Sequence, residues 1–334
     1  MKEFRIICFL WSFCIILSSF NISCTEINKC STVDQFQSNS LDILSVKIIP
    51  PLEGKIKGDA GKIGVIGGSL EYTGAPYFAA ISALKVGADL VYVITTESAA
   101  PVIKSYSPDL IVYPFLNSIL GLKINSLLSK MDVIVIGPGL GRDDSKIKLF
   151  YDIIDTCKVM KKPLIIDADG LYAVSKNMSI LNSYPTPGVI LTPNSREYEK
   201  LIKNLPSNTT LTNYWGENVS VLIKGHEDKY ESNNSTFNWS LTHGGSGRRA
   251  GGQGDILAGA LGTFLNWTLK SPLTAGCEHT KSSVHFAQSL ATYAAAKFTR
   301  TCNAKSFLKH GRSMTASDMI NEIHSSFDEV FSQD

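Results

Sequence analysis

The residues with the plainest chemical meaning lie between Gly244 and Gly262, GGSGRRAGGQGDILAGALG. Glycines surround two arginines there, and Asp255 stands directly before the small apolar run Ile256–Leu261. A glycine-rich loop entering a helix N-terminus is an anion site: backbone N–H groups converge, no Cβ obstructs them, and the helix dipole favours negative charge. An acid at the mouth of such a site repels phosphate unless it has a task of its own. The task that fits is taking the proton from a hydroxyl that attacks phosphorus. A flexible surface linker is the plain alternative, but a linker would not run straight into a helix-grade apolar segment.

Three further groups join this loop. Lys224-Gly225 ends an apolar run and can bring a cation to phosphate oxygens. Arg248-Arg249 lies inside the loop, suited to triphosphate charge. Asn194 and Glu197, spaced i, i+3, can hold a sugar, an amide or a magnesium-bound water. Each has a bland reading too: Lys224 as a solvated strand-end charge, Asn194 and Glu197 as a helix-capping box. Other chemistries lack their motifs. There is no G-x-x-x-x-G-K-[ST], H-E-x-x-H or G-x-S-x-G, and GVIGGS at 64–69 has the wrong spacing for a dinucleotide fingerprint.

The elements that must position these residues alternate. Apolar runs at 62–66, 90–94, 132–136, 163–166, 189–191 and 219–223 read as strands, and two short strands flank 233–234. Helical spacing falls between them at 75–88, 144–159, 171–176 and 197–201, then in long helices near 283–298 and 316–331. This is a mainly parallel sheet covered on both faces, whose ligands bind outside the carboxyl ends of the strands. Nearly every expected strand ends in Gly, Asp, Asn or Lys, so the polar residues gather on one edge.

The totals are ordinary for a globular protein with a real core: 334 residues, 44% hydrophobic, 19% charged, net charge +2. That balance argues against a broad nucleic-acid-binding face. Cys8, Cys14, Cys24 and Cys30 are N-terminal, leaving Cys157, Cys277 and Cys302 in the body, with no C-x-x-C. Residues 1–23 place Lys2 and Arg5 before an uncharged apolar run, the layout of a secretory signal peptide, with a membrane anchor as the competing reading. A mitochondrial or cytoplasmic location is the alternative. Residues 24–42 read as a linker and 43–334 as one domain. Sequons at Asn208, Asn218, Asn234, Asn238 and Asn266 matter only in the secretory pathway.

Gly252-Gln253-Gly254-Asp255 resembles the G-x-G-D signature of the ribokinase-like superfamily. Taken with Gly64–Ser69, GPGLGRD at 137–143, DADGL at 167–171, TPNSREYEKL at 192–201, KG at 224–225 and GRRAGGQGDILAGALG at 247–262, the chain is similar to the ATP-dependent NAD(P)H-hydrate dehydratases. These are the carbohydrate-kinase-domain branch of that superfamily. The resemblance runs from about Leu44 to the C-terminus and is closer to the stand-alone eukaryotic form, so no epimerase domain is expected. Ala250 stands where some relatives have cysteine, and the polar stretch 270–282 has no role in this reading.

The resemblance implies a ribokinase-like three-layer α/β/α sandwich. It also implies a lyase that uses ATP with Mg2+ to return the S form of NAD(P)H hydrate (NADHX or NADPHX) to NAD(P)H. Asp255 would be the base, with Gly252 and Gly254 stabilising the transferred phosphoryl group. Lys224, Gly225, His226, Glu227 and Asp228 would hold ATP. So would Gly245, Ser246, Gly247, Arg248, Arg249, Ala250, Gly251, Gly252, Gln253 and Gly254. Gly141, Asn194, Ser195, Arg196, Glu197, Tyr198, Glu199 and Lys200 would hold the hydrate with Asp255. The resemblance leaves metal ligands unassigned, and a homo-oligomer is possible. A thiazole or pyrimidine alcohol kinase of the same fold, and a non-catalytic nucleotide binder, are the competing functions.

Overall fold

The computed structural model describes residues 40–116, 121–274 and 281–332. The expected leader, most of the expected linker, Cys277 and the middle of the polar stretch 270–282 lie outside the described residues. The chain enters through α1 (Leu41–Lys47), β1 (Lys62–Ile66), α2 (Gly74–Val86), β2 (Leu90–Ile94), α3 (Ala100–Tyr106) and β3 (Ile111–Tyr113). It continues through α4 (Gly121–Leu128), β4 (Val133–Ile136), α5 (Asp144–Val159), β5 (Leu164–Ile166), α6 (Asp169–Lys176) and β6 (Val189–Leu191). Then come α7 (Ser195–Ile202), α8 (Leu211–Trp215), β7 (Val219–Ile223), β8 (Asp228–Glu231) and β9 (Trp239–Leu241). The last helices are α9 (Gln253–Lys270), α10 (Lys281–His310), α11 (Ala316–Asn321) and α12 (Ile323–Phe331).

The strands form one sheet in the order β3-β2-β1-β4-β5-β6-β7-β8-β9. Pairing is parallel from β3 to β7 and antiparallel for β7-β8-β9. Side chains of successive strand residues alternate between two cores. Val133, Val135 and Ile165 join α2, α9 and α10 on one face, while Ile134, Ile136, Leu164 and Ile166 join α5 and α6 on the other. The result is the expected three-layer α/β/α sandwich.

The course of α9 matters most for the site. Near its C-terminus Asn266 Nδ2 donates to Ala60 O at 3.0 Å, and Lys270 pairs with Asp132 at 3.1 Å, both at the amino ends of strands. Its N-terminus therefore stands at the carboxyl edge, where α/β sheets bind ligands. The small residues of 256–262 let α9 lie close against α2. A Cβ on Gly259 would run into the carbonyl oxygen of Ala79, and Ser82 Oγ donates to Ile256 O at 3.1 Å.

Some boundaries differ from the sequence expectation. The helix expected near 283–298 runs through Lys281–His310, because no breaker intervenes before Gly311. The helix expected over 316–331 is two, turning at Glu322, whose buried carboxylate pairs with Lys309 at 2.6 Å. At the end of the expected linker, Leu41 is buried and Asp42 accepts from Tyr293 Oη and Lys297 Nζ, both at 2.7 Å. The elements α3, β3, α4 and α8 are short and carry no clear period.

Candidate active site

The site is assembled from the carboxyl ends of β5, β6 and β7 facing the first turn of α9. Gly252 caps that helix with φ +92°. A Cβ there would stand 2.6 Å from Ala316 Cβ and 2.8 Å from Phe78 Cδ2, so glycine is required by both conformation and space. The N–H groups of the first turn have no intrahelical acceptor and lie at the positive end of the dipole. Gln253 Nε2 donates back to Arg248 O at 3.1 Å and closes the loop.

Asp255 follows in the same turn, and among the described residues its carboxyl makes no hydrogen bond. Burial pushes its pKa up first, and the Asp167, Asp169 and Glu197 carboxylates add to this. Lys224 opposes them, and the balance is about 7. A base poised near neutrality is what proton abstraction from an alcohol asks for.

Lys224 reaches the same point because β6 and β7 extend in register by one bridge, Asn194 beside Lys224. Its Nζ donates to Asp167 Oδ1 at 2.6 Å and lies 3.0 Å from where a Gly254 Cβ would be. Burial alone would pull the ammonium down, but Asp167, Glu197 and Asp255 outweigh it and hold Lys224 above the usual lysine range. It is a fixed cation at a helix N-terminus, suited to phosphate oxygens.

Asn194 and Glu197 form the capping box: Asn194 Oδ1 accepts from Glu197 N at 3.1 Å, and Glu197 Oε2 accepts from Asn194 N at 2.9 Å. The bland reading, a helix-capping box, is present in full. Burial raises the Glu197 carboxyl, against Lys224 and the Asn194 N–H, and Asn194 lines the main cavity with Lys224 and Gly254. Gly141 takes φ +94°, and its N–H donates to Asp169 Oδ2 at 3.0 Å. Arg142 bonds Asp169 Oδ1 at 2.7 Å and lies over the Tyr172 ring.

The cavity at the glycine-rich loop collects Gly225, Asp228, Gly245, Ser246, Arg249, Ala250 and Gln253 from the expected set. Asp228 acts there as a strut: it accepts from Gly225 N at 2.9 Å and pairs with Arg300 at 3.0 Å. Other expected residues turn elsewhere. Arg248 donates to Met314 O at 3.3 Å and, with Gly247, lines a neighbouring hollow beside Arg312. The His226 side chain is exposed, as is Gly251. Glu227 pairs with Lys229 at 2.9 Å, and with Ser195, Tyr198 and Glu199 it borders a separate hollow. Tyr198 Oη donates to Glu231 Oε2 at 3.5 Å, while Arg196 and Lys200 are exposed on α7.

Sequence reasoning missed the far wall. Leu257, Thr299, Arg300, Asn303 and Met319 line the cavity. Asn303 Oδ1 fixes the loop by accepting from Ser246 N at 2.6 Å. Arg300 donates to the carbonyls of His243, His226 and Thr242. Nothing in their spacing on α10 or α11 marks them. Asp167 was visible only as part of DADGL.

Comparison with known proteins shows the family and the fold. A family model described as NAD(P)H-hydrate dehydratase matches residues 63–325. An ATP-dependent (S)-NAD(P)H-hydrate dehydratase from Aedes aegypti is 44% identical over 333 residues, covering 97% of this chain and 95% of its own. The enzyme of the same name from Homo sapiens is 42% identical over 306 residues, covering 88% and 85%. Among solved structures, a ribokinase-like superfamily protein from Enterococcus faecalis aligns with TM-score 0.69 at 22% identity, over 87% of this chain and 95% of that one. The ADP/ATP-dependent NAD(P)H-hydrate dehydratase of Bacillus subtilis, co-crystallised with ATP and Mg2+, aligns with TM-score 0.61 at 19% identity, over 86% and 97%. These two share the fold. With the glycine loop, its aspartate and the facing lysine set on that fold, and with the family model spanning most of its length, the chain belongs to the NAD(P)H-hydrate dehydratase family.

Proposed function

We propose that the chain is an ATP-dependent lyase that converts the S form of NAD(P)H hydrate to NAD(P)H, with ADP and phosphate as products. The observation that carries this is Asp255: a carboxyl with no hydrogen bond among the described residues, poised near pH 7 in the first turn of α9, beside the half-buried Lys224 cation.

Hydroxide is a poor leaving group and phosphate a good one. Asp255 takes the proton of the ring hydroxyl as its oxygen bonds to the terminal phosphorus of ATP and the bond to ADP breaks. The first-turn N–H groups from Gln253 onward and Lys224 face the charge on the moving phosphoryl group. The C–O bond of the phosphate ester then breaks, driven by the ring nitrogen lone pair. Loss of a proton from the adjacent carbon restores the dihydropyridine. Gly245, Ser246 and Arg249 lie where the nucleotide enters, and Asn194 and Gly141 lie where the hydrate enters.

Magnesium accompanies ATP as its phosphate-bound ion. Among the described residues no three His, Cys, Asp or Glu side chains converge to hold a metal of their own. Asp167 and Glu197 are engaged by Lys224 and by the Asn194 N–H.

The test is recovery of the reduced-nicotinamide absorbance from NADHX by the purified chain. ATP-dependent recovery is expected. No recovery, with ATP hydrolysed or transferred to another alcohol, overturns the reading. We further propose that residues 1–23 direct the chain to the secretory pathway, on the strength of Lys2 and Arg5 before the apolar run. Mass spectrometry of the mature N-terminus decides this. Among the described residues no helix is long and apolar enough to cross a membrane.

A further inference from the structure

Asp167 has no role in the chemistry above, yet it stands at its centre. It follows β5 and is 2% exposed. Its Oδ1 accepts from Lys224 Nζ at 2.6 Å and from Thr192 Oγ1 at 2.9 Å. Its Oδ2 lies 3.7 Å from where a Cβ on Gly254 would be, so the carboxylate faces the first turn of α9. The backbone around it is held tightly. A Cβ on Gly137 would run into the Asp167 carbonyl oxygen. The next residue, Ala168, takes φ +50° and ψ −118°, a strained conformation for a residue other than glycine. Beyond it Asp169 holds Gly141 and Arg142. One strained residue thus sets two carboxylates, one toward the nucleotide loop and one toward the hydrate loop.

A buried ion pair is a poor source of stability, because desolvation offsets its attraction and apolar residues would serve as well. A lysine side chain, by contrast, needs restraint. It has four rotatable carbons, and both the Glu197 carboxylate and incoming phosphate attract it.

We propose that Asp167 is a positioning residue for phosphoryl transfer, holding the Lys224 ammonium beside Gly254 at the N-terminus of α9. This rests on the reading of Asp255 as base. Asp167 touches no reacting atom, and its effect passes through Lys224. Loss of its charge therefore lowers turnover more than nucleotide affinity and matters little once Lys224 is gone.

The experiment is a double-mutant cycle in the full chain, with kcat, KM and the dissociation constant of ATP measured for Asp167→Asn, Lys224→Met and the pair. Asp167→Asn is expected to lower kcat by about 30-fold with ATP affinity within about 3-fold, and the pair to be within about 3-fold of Lys224→Met alone. Additive losses, or an Asp167→Asn enzyme with wild-type kcat, overturn the proposal. Should Asp167→Asn fail to fold, Thr192→Val removes one bond to Oδ1 and keeps the charge. It is expected to lower kcat by roughly 3- to 10-fold with ATP affinity within about 3-fold, and wild-type kcat there overturns the proposal. A wild-type chain that does not repair NADHX overturns the function itself. An active wild type with additive mutants overturns only the role of Asp167.

Discussion

Two arginine–aspartate pairs flank the site and are built differently. Arg300 and Asp228 meet at 3.0 Å with side chains 13% and 7% exposed. The same guanidinium also holds three carbonyl oxygens, so it is spent on the cavity wall. Arg142 and Asp169 meet at 2.7 Å, but Arg142 is 57% exposed and leans on Tyr172. Its outer face is free for a ligand. The Arg300 side is thus preorganised by buried polar bonds, as electrostatic stabilisation of a transferring group requires. The Arg142 side is an open rim.

The largest expected effect is on the buried pair. Arg300→Ala leaves the Asp228 carboxylate buried with only the Gly225 N–H, and should cost about 3–5 kcal/mol of stability. Urea denaturation measures it, and a loss under 1 kcal/mol would show that the wall does not depend on this pair. Asp255→Asn comes next. It should keep ATP binding within a few-fold and lower kcat by about 10²-fold or more. Turnover like that of the wild type would place the base elsewhere.

The pH behaviour of Asp255 sharpens the same contrast. The base works ionised, so kcat/KM should rise with pH up to about 7 and then level, and Asp255→Asn should lack this limb. Stability runs the other way. The folded pKa lies above the unfolded value, so the favourable contribution is complete below about pH 4 and is lost as pH rises to about 7. Asp255→Asn should therefore gain stability over the wild type across that window and keep the gain at pH 8.5. Equal denaturation midpoints at pH 8.5 would show that the carboxyl is not raised.

Much of this was legible in the sequence for a physical reason. In a parallel sheet the carboxyl ends of strands share one edge, so Lys224, Asn194 and the loop at 137–141 had to meet once the strands were recognised. The N-terminus of α9 announced itself through glycines whose conformation and packing exclude other residues. The far wall was not legible, because Arg300, Asn303 and Met319 lie on helices whose apolar spacing reads as core. Along the stretch 194–200, Asn194 lines the cavity with Lys224, and Ser195, Tyr198 and Glu199 border a second hollow that Lys224 also lines.

Two milder substitutions follow from the open rim. Arg142→Ala removes an exposed pair and should raise KM for the hydrate by about 5- to 10-fold with kcat within about 3-fold. A matching fall in kcat would mean that Arg142 belongs to the preorganised half.

The smallest effect should fall on Tyr198. It stands four residues beyond Asn194, but its hydroxyl donates to Glu231 on β8, and its ring borders the hollow shared with Glu227 and Lys229. The bond is long at 3.5 Å and the side chain half-buried, so little stability depends on it. Tyr198→Phe should change KM for the hydrate by less than about 2-fold and stability by under about 1 kcal/mol. A large rise in KM would mean that the hydrate extends over α7 into that second hollow. The substrate half would then be a groove spanning both sides of the helix, in place of an open rim beside Gly141 and Asn194.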